Sequence, residues 1–478
     1  MSNLAWKDVH WELVNKRLSR QQRRVYKASM QGNKKKVHAL QRRIIDSLDA
    51  KLVAIRRITT ENNGHNTSGL NRQTTISNYA KVKLTFKLKL GEKACAIRPI
   101  FIPKTSKNRI LPLGTKIEDR AKQMLAELVL EPEWEATFNS NDYIFRPRRS
   151  YHDAIKKLFF SLNGKSQYVL DVGIHKCFDQ NHHEKLFQKL FSFEIMENQI
   201  RAWLKVDIMA DYFNKRKIFQ STDGSLKNEV ISSILTNIIW YDLENYIKDW
   251  YINQWYTLNG LGLDISIRQR KSSIGFFRYA GGFVITAPKI TDIKQIKKQV
   301  KIWLSEEIGL SLSKGKTRIV DAMKGFEFLG FNFISLKSDA VDQYKLKIYP
   351  SKLSKNRLLN QVRETVQQNR SAASYTLINL LIPKIICWAD YFRFSDCRKD
   401  FSKMDYLVYQ QLRTWVFRRK SKGLRARTKL KEKYFPSNKI FLFREKKYSN
   451  NWILVGETFL NGEKKENFLP KMVWVCSN

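Results

Sequence analysis

Aromatic and β-branched residues run through Phe276-Phe277-Arg278-Tyr279 and again through Phe283-Val284-Ile285-Thr286, with Gly281-Gly282 between. Two such runs flanking Gly-Gly predict a β-hairpin whose tight turn needs φ > 0 at both central residues. Helical spacing marks the N-terminus instead. Val14, Leu18 and Val25, then Val37, Leu40, Ile44 and Leu48, predict two amphipathic helices over residues 1–57, with Lys34-Lys35-Lys36 between them. Ile97 to Lys104 reads as a strand ending in a Pro-initiated turn. Glu118-Asp119-Arg120 opens a helix through Leu130, and Tyr168 to Ile174 reads as a further strand. Residues 238–275 read as a helix followed by a polar, aromatic connection. Beyond Tyr349-Pro350 the pattern is helical to residue 435, where Leu377, Leu380, Leu381, Ile385 and Trp388 form an apolar stripe expected in the core.

Charge changes this picture. The 478 residues carry 87 Lys and Arg against 44 Asp and Glu, a net charge of +43, while 43% are hydrophobic. The chain is long enough for several domains and too apolar for a disordered polycation. Such an excess calls for a polyanionic partner. Nucleic acid leads, because neutralising phosphates releases counterions. An anionic membrane surface is the alternative, but no apolar run approaches the roughly 20 residues of a spanning helix. Two regions concentrate the charge. Residues 1–73 hold sixteen basic and five acidic side chains, including Lys34, Lys35, Lys36, Arg42 and Arg43. Residues 351–435 hold twenty basic and six acidic. Within the latter, Arg418, Arg419, Lys420, Lys422, Arg425, Arg427, Lys429, Lys431 and Lys433 are offset by Glu432 alone. A charge run is by default a solvated face. Here it interleaves with Trp415, Phe417, Tyr434 and Phe435, which suit stacking or anchoring, so these basic residues are the candidate RNA-binding set.

Other chemistry is poorly supported. Cys95, Cys177, Cys387, Cys397 and Cys476 are scattered without a Cys-x-x-Cys pair and read as free thiols. His175, Cys177, Asp179, His182 and His183 cluster in sequence, but their spacing fits no zinc pattern and reads as an ordinary strand–helix junction. No cofactor is expected.

Several motifs occur in a telling order. Ile97-Arg98-Pro99-Ile100-Phe101-Ile102-Pro103-Lys104, Arg109 to Gly114, and Tyr143 to Ser150 come first. Val230-Ile231-Ser232-Ser233-Ile234-Leu235-Thr236-Asn237, Tyr279-Ala280 before Phe283-Val284-Ile285, Leu310 to Thr317 and Gly325 to Phe331 follow. Last come Trp388 to Arg393 and the segment from Leu407 to Phe435. This series resembles group II intron reverse transcriptases and maturases over roughly residues 1–435.

The resemblance implies an α+β right-hand fold: fingers and palm with an antiparallel sheet, then an all-helical thumb or maturase domain. The implied domains are a basic helical extension (1–75), a degenerate reverse-transcriptase-like region (76–345), the helical maturase domain (346–435) and a basic-aromatic C-terminal tail (436–478). The sequence departs from the family at telling places. Ile144 and Arg148 stand where the family usually has Gly. Gly173 replaces the metal-binding Asp before Ile174, and Gly281-Gly282 replaces the Asp-Asp of the hairpin. Leu226-Lys227-Asn228 replaces the Pro-Gln-Gly of a loop that places the primer–template in the family. Asp171 shares a strand face with position 173 but lies roughly 6–7 Å away along it. It could not alone hold two ions about 4 Å apart for in-line displacement.

The function implied is therefore that of a maturase. It binds a group II intron RNA and stabilises the fold in which the RNA performs its own transesterifications, with no catalytic residue or metal of its own. A reverse transcriptase with residual activity through Asp171 or Asp179, and a non-specific cationic RNA binder, are the alternatives. DNA cleavage is not expected, since no His follows His183 and no cysteines pair up. The resemblance begins almost at Met1, leaving no room for a presequence, and Lys, Asn and Ile are abundant. Both features fit a plastid-encoded protein, with mitochondrial or bacterial origin open. Oligomeric state is left open, a homodimer included.

Overall fold

A computed structural model describes residues 5–61, 76–91, 94, 99–102, 109–112, 116–143, 146–165, 167–173, 183–205, 208–209, 218–219, 230–259, 273–279, 282–313, 315, 317–337, 344–418, 423–437, 439–449, 451–460 and 463–476. The chain is mixed α+β, with helices and antiparallel sheets, in two compact units.

The first unit comprises residues 1–158 and 170–319. It opens with α1 (Trp11–Met30), α2 (Lys34–Asp46) and α3 (Leu48–Arg56). Val14, Leu18, Val25, Val37 and Ile44 are buried as the periodicity requires. Three helices form where two were expected. Ser47 adopts extended backbone at ψ 127°, ending α2 and resetting the helical phase. Leu48 therefore opens a new helix and is 41% exposed. Lys34-Lys35-Lys36 is the first turn of α2, not a linker. Positive charge is unfavourable at that end of a helix dipole. The Asn33 side chain caps the turn by accepting from the Lys36 N–H at 3.0 Å.

α4 (Asn78–Lys87) follows, then β1 (Pro99–Ile102) antiparallel to β2 (Arg109–Pro112). α5 (Ile117–Glu135) passes the expected end at Leu130 and continues through Pro132. A proline lacks the N–H that would bond the carbonyl four residues earlier. Here the Gln22 side chain supplies the donor, at 2.8 Å from the Leu128 carbonyl. Next are α6 (Tyr151–Leu162), β3 (Tyr168–Gly173), α7 (His183–Leu190) and α8 (Glu194–Leu204). The short β4 (Ile208–Met209) and β5 (Ile218–Phe219) pair with each other. α9 (Ser232–Trp240) and α10 (Leu243–Asn259) lead to β6 (Gly275–Tyr279), β7 (Gly282–Ala287), α11 (Ile290–Trp303) and β8 (Thr317–Asp321). One sheet has the order β6-β7-β3-β8.

The predicted hairpin is β6–β7, but its register differs from expectation. Tyr279 pairs with Gly282, so Gly282 begins the return strand; positions 280 and 281 lie outside the described residues. Gly282 holds no left-handed φ; a Cβ there would stand 3.3 Å from the Val172 carbonyl oxygen, a tight contact with the neighbouring strand.

The second unit comprises residues 159–169 and 320–478. Residues from the short segment bond into it: Gly164 N–H donates to the Tyr344 carbonyl at 2.9 Å, and the Asn163 side chain accepts from Leu346 N–H at 3.1 Å. β9 (Phe326–Phe328), β10 (Phe331–Lys337) and β11 (Tyr344–Pro350) form a sheet of order β11-β10-β9. Four helices follow: α12 (Lys352–Gln368), α13 (Ser374–Phe392), α14 (Arg398–Phe417) and α15 (Leu424–Tyr434). Leu377, Leu381 and Ile385 of the predicted stripe are buried, joined by Ile378, Ala389 and Phe392. Leu380 is 41% exposed and leaves the stripe. Trp388 is half-buried, its indole N–H donating to Ser354 Oγ at 3.1 Å.

Past residue 436 the chain is folded where a tail was expected. β12 (Ile440–Phe443) pairs with β13 (Lys446–Ser449), and β14 (Val455–Leu460) with β15 (Glu463–Phe468). Phe441, Ile453 and Trp474 form their core. Asp405 of α14 accepts the backbone N–H groups of Met472 and Val473 at 2.8 and 3.1 Å. Burial raises its carboxyl to about 6. Cys397 and Cys476, far apart in sequence, bring their sulfurs within 3.5 Å.

Candidate nucleic-acid interface

Arg363 and Gln367 lie one turn apart on α12, a spacing that places side chains on a common face, and Arg370 follows just past its end. Gln411, Thr414, Trp415 and Arg418 share a face at the end of α14. Together with Val366 they line a 380 Å³ groove with no acidic side chain in its wall. Trp415 lies in its base, 4% exposed, its indole N–H donating to the Asn369 carbonyl at 3.0 Å. Arg363 and Arg418 are exposed. A concave surface carrying arginines suits phosphate oxygens, which a guanidinium can meet with two parallel N–H groups.

α15 presents the rest of the cationic surface. It buries none of its residues, and Arg425, Arg427, Lys429, Lys431 and Lys433 are all exposed. Among the described residues, Arg425, Arg427, Lys429 and Lys431 make no ion pair, while Lys433 lies 5.7 Å from the Tyr434 ring centre. Arg419, Lys420 and Lys422 lie outside the described residues. Of the aromatic residues expected to stack or anchor, Phe417 and Tyr434 are half-buried and the other two anchor. Trp415 and Phe435 are each 4% exposed, and Phe435 packs edge-on against Tyr409 at 5.2 Å. They anchor the helices and offer no open face.

The N-terminal set divides. Lys35, Lys36, Arg42 and Arg43 are exposed, and the Arg42 guanidinium lies 5.4 Å from the Phe193 ring centre. Lys34 keeps 52% of its side chain exposed but is ion-paired: its Nζ is 3.0 Å from Glu133 Oε1, and Gln41 Nε2 donates to the other oxygen at 2.7 Å. Glu133 is 2% exposed, so Lys34 answers a buried carboxylate.

A second constellation surrounds the hairpin. Gly173 ends β3 and Gly282 begins the neighbouring β7; Gly281 lies outside the described residues. Neither glycine has a side-chain donor. Asp171 remains on β3, with Arg318 Nη2 3.5 Å from its Oδ2. A divalent ion needs converging oxygen ligands. One carboxylate facing an arginine does not fit that need, and no group of three His, Cys, Asp or Glu suited to a metal occurs among the described residues. The sequence cluster from His175 to His182 lies outside them.

What the hairpin does carry is a buried ion pair. Arg278 is 1% exposed; its Nε donates to Asp142 at 2.9 Å and its Nη2 to the Asn237 side chain at 3.0 Å. Arg146 donates twice to Glu135, at 2.9 and 2.7 Å. Arg278 thus ties Asp142 and the Asn237 motif to the hairpin, while Arg146 ties the Tyr143–Ser150 motif to the end of α5. Arg363 and Arg370 were not singled out in the sequence. They lie near and just past the end of α12, legible as an interface only with Arg418 in the same groove.

Comparison with known proteins agrees with this layout. Residues 6–88 match the N-terminal domain of reverse transcriptase, and residues 102–333 match reverse transcriptase (RNA-dependent DNA polymerase). Residues 355–435 match the group II intron maturase-specific domain. The chain is 24% identical to Maturase-like protein 1 of Euglena gracilis over 465 residues, covering 96% of this chain and 88% of that one. It is 25% identical to Protein YkfC of Escherichia coli over 323 residues, covering 63% and 84%. Similarity to the group II intron-encoded protein LtrA of Lactococcus lactis is 22% over 288 residues, covering 51% and 48%. With reverse-transcriptase domains and the maturase-specific domain in series along most of its length, the chain belongs to the family of group II intron maturases.

Proposed function

We propose that this protein is an RNA-binding maturase that assists the splicing of a group II intron by holding the intron RNA in its folded form. The observation that carries the reading is the arginine groove between α12 and α14, within the stretch that matches the maturase-specific domain. RNA shape is read through phosphates and single-stranded segments, and the transesterifications belong to the RNA itself. Lys35, Lys36, Arg42 and Arg43 in the N-terminal helices, and Arg419, Lys420 and Lys422 before α15, extend the proposed RNA contacts. The first unit corresponds to fingers and palm and the helices α12–α15 to a thumb.

The polymerase site is lost in this reading. Gly173, Gly281 and Gly282 stand where the family's metal-binding carboxylates belong, and phosphoryl transfer depends on positioned ions. DNA cleavage is likewise outside the activity, and a homodimer is compatible with it. The plastid is the proposed compartment, supported by the abundance of Lys, Asn and Ile and by the Euglena relatives; organelle fractionation tests it. Among the described residues no helix is long and apolar enough to cross a membrane.

The deciding experiment is filter binding of a group II intron RNA and of a length-matched scrambled RNA across a salt series. Preference for the intron is expected. Replacing Arg363 and Arg418 with Ala removes two phosphate partners, so affinity falls and the log K against log[salt] slope flattens by about 2. Equal affinity for the two RNAs supports the non-specific cationic binder instead. An unchanged slope removes the groove from the interface.

A further inference from the structure

Trp452 is out of place for a purely structural residue. It keeps 47% of its surface exposed, and its backbone holds φ +68°, a conformation L-residues adopt at a cost. Tyr409 lies parallel beneath it, ring centres 5.2 Å apart at 19°, and Tyr406 stands at 6.2 Å with 47% exposure of its own. These rings form one wall of a 240 Å³ cavity between α14 and the C-terminal hairpins, closed on another side by Leu469. Clefts for small ligands run from about 300 Å³ upward, so this one holds a single planar ring system with its substituents left at the mouth.

The polar groups agree with such an occupant. Lys471 lines the cavity, its Nζ 5.7 Å from the Trp452 ring centre. Lys399 and Lys403 are exposed on α14, Lys399 continuing the stripe that runs through Ser402, Tyr406 and Tyr409. Asp405 also lines the cavity, its carboxyl held by the backbone N–H groups of Met472 and Val473 and set beside the opposite charge of Lys471. An aromatic platform beside lysines is the chemistry of single-strand recognition: the base stacks and the flanking phosphates meet the ammonium groups.

We propose that this cavity takes one unstacked RNA base, held against the Trp452 indole, with Lys471 and Lys399 facing its flanking phosphates. The proposal rests on the RNA-binding reading but adds a separate claim: discrimination of single-stranded from paired RNA by one pocket. It does not depend on which RNA is bound.

The test uses the full chain and a short single-stranded RNA of random sequence carrying one 5-bromouridine, beside the fully paired duplex of the same length. Irradiation of the unaltered protein with the single strand should crosslink Trp452 or Tyr406, mapped by peptide mass. Trp452→Ala should weaken single-strand binding about 5- to 150-fold, the range for losing one stacked base. Duplex affinity and the salt slope should stay unchanged, because no phosphate contact is removed. Trp452→Phe keeps a stacking face and should retain most of the affinity. Crosslinks confined to other residues, or equal losses on both probes, overturn the proposal. Should Trp452→Ala fail to fold, the crosslink and the Phe variant decide. If the maturase reading alone fails, intron preference disappears while the single-strand effect of Trp452 persists.

Discussion

Arg148 holds φ +60° in the turn before α6. The family resemblance put Gly at this place, and the structure supplies the reason: the turn needs left-handed backbone. An L-residue there costs about 1–2 kcal/mol, and a glycine loses about 0.5–1 kcal/mol in unfolded-chain entropy. Arg148→Gly should therefore stabilise the protein by up to about 1 kcal/mol, seen as a higher denaturation midpoint at unchanged slope; a lower midpoint would mean the side chain is needed. Glu127 shows what sequence periodicity hides. It lies on α5, where burial first and then Glu131 raise its carboxyl to about 7, although Ser233 Oγ donates to it at 3.2 Å. A raised acid favours the folded state when protonated. Its contribution is full below the unfolded value near 4.5 and is lost as pH rises through about 7. Glu127→Gln keeps an acceptor for Ser233 without the charge. Its stability relative to the wild type should climb between pH 5 and pH 8 in parallel denaturation curves, and a constant difference would contradict the assignment.

At the scale of elements, β14 approaches α13 so closely that a methyl on Gly456 would overlap the backbone of Ser374 and Tyr375. No flexible side chain can yield there. Gly456→Ala should cost about 1–3 kcal/mol, the range for overpacking, and should raise hydrogen exchange first in β14 and β15. Wild-type exchange in those strands would show that the backbones separate freely. The same element carries a local hairpin signal, Asn461-Gly462 between two aromatic and basic runs. What no local pattern shows is that the stretch is more than a tail, because its core of Phe441, Ile453 and Trp474 is assembled from distant positions. The hairpin β6–β7 was legible as a hairpin, since alternation and flanking glycines are local signals. Its register was not, because Gly282 belongs to a strand packed beside β3, a neighbour distant in the chain.

For the whole molecule, the expected lack of polymerase activity depends on strands brought together from distant positions. Gly173 and Gly282 are more than a hundred residues apart in sequence yet lie on neighbouring strands, beside an Asp171 that already faces Arg318. Primer extension on a poly-rA template, with Mg²⁺ or with Mn²⁺, should yield no product above background. Processive synthesis would restore the reading of a reverse transcriptase with unusual ligands. The groove is also a long-range product. Arg363 and Arg418 belong to separate helices, and neither was distinctive among 87 basic residues until the helices packed.

Residue order alone established the family through motifs whose local spacing survives: the fingers-like series before residue 150, the hairpin, and the helices to residue 435. It also pointed to a polyanionic partner, because net charge needs no folding to be counted. Tertiary structure decided which charges are available. Lys34 is spent on a buried Glu133, whereas α15 leaves its basic face open. It also decided which aromatics are exposed. Trp415 and Phe435 are consumed by packing and Trp452 is left at the surface, a choice fixed by which helices and hairpins cover each ring. Burial is a property of neighbours distant in the chain, and no local pattern records it.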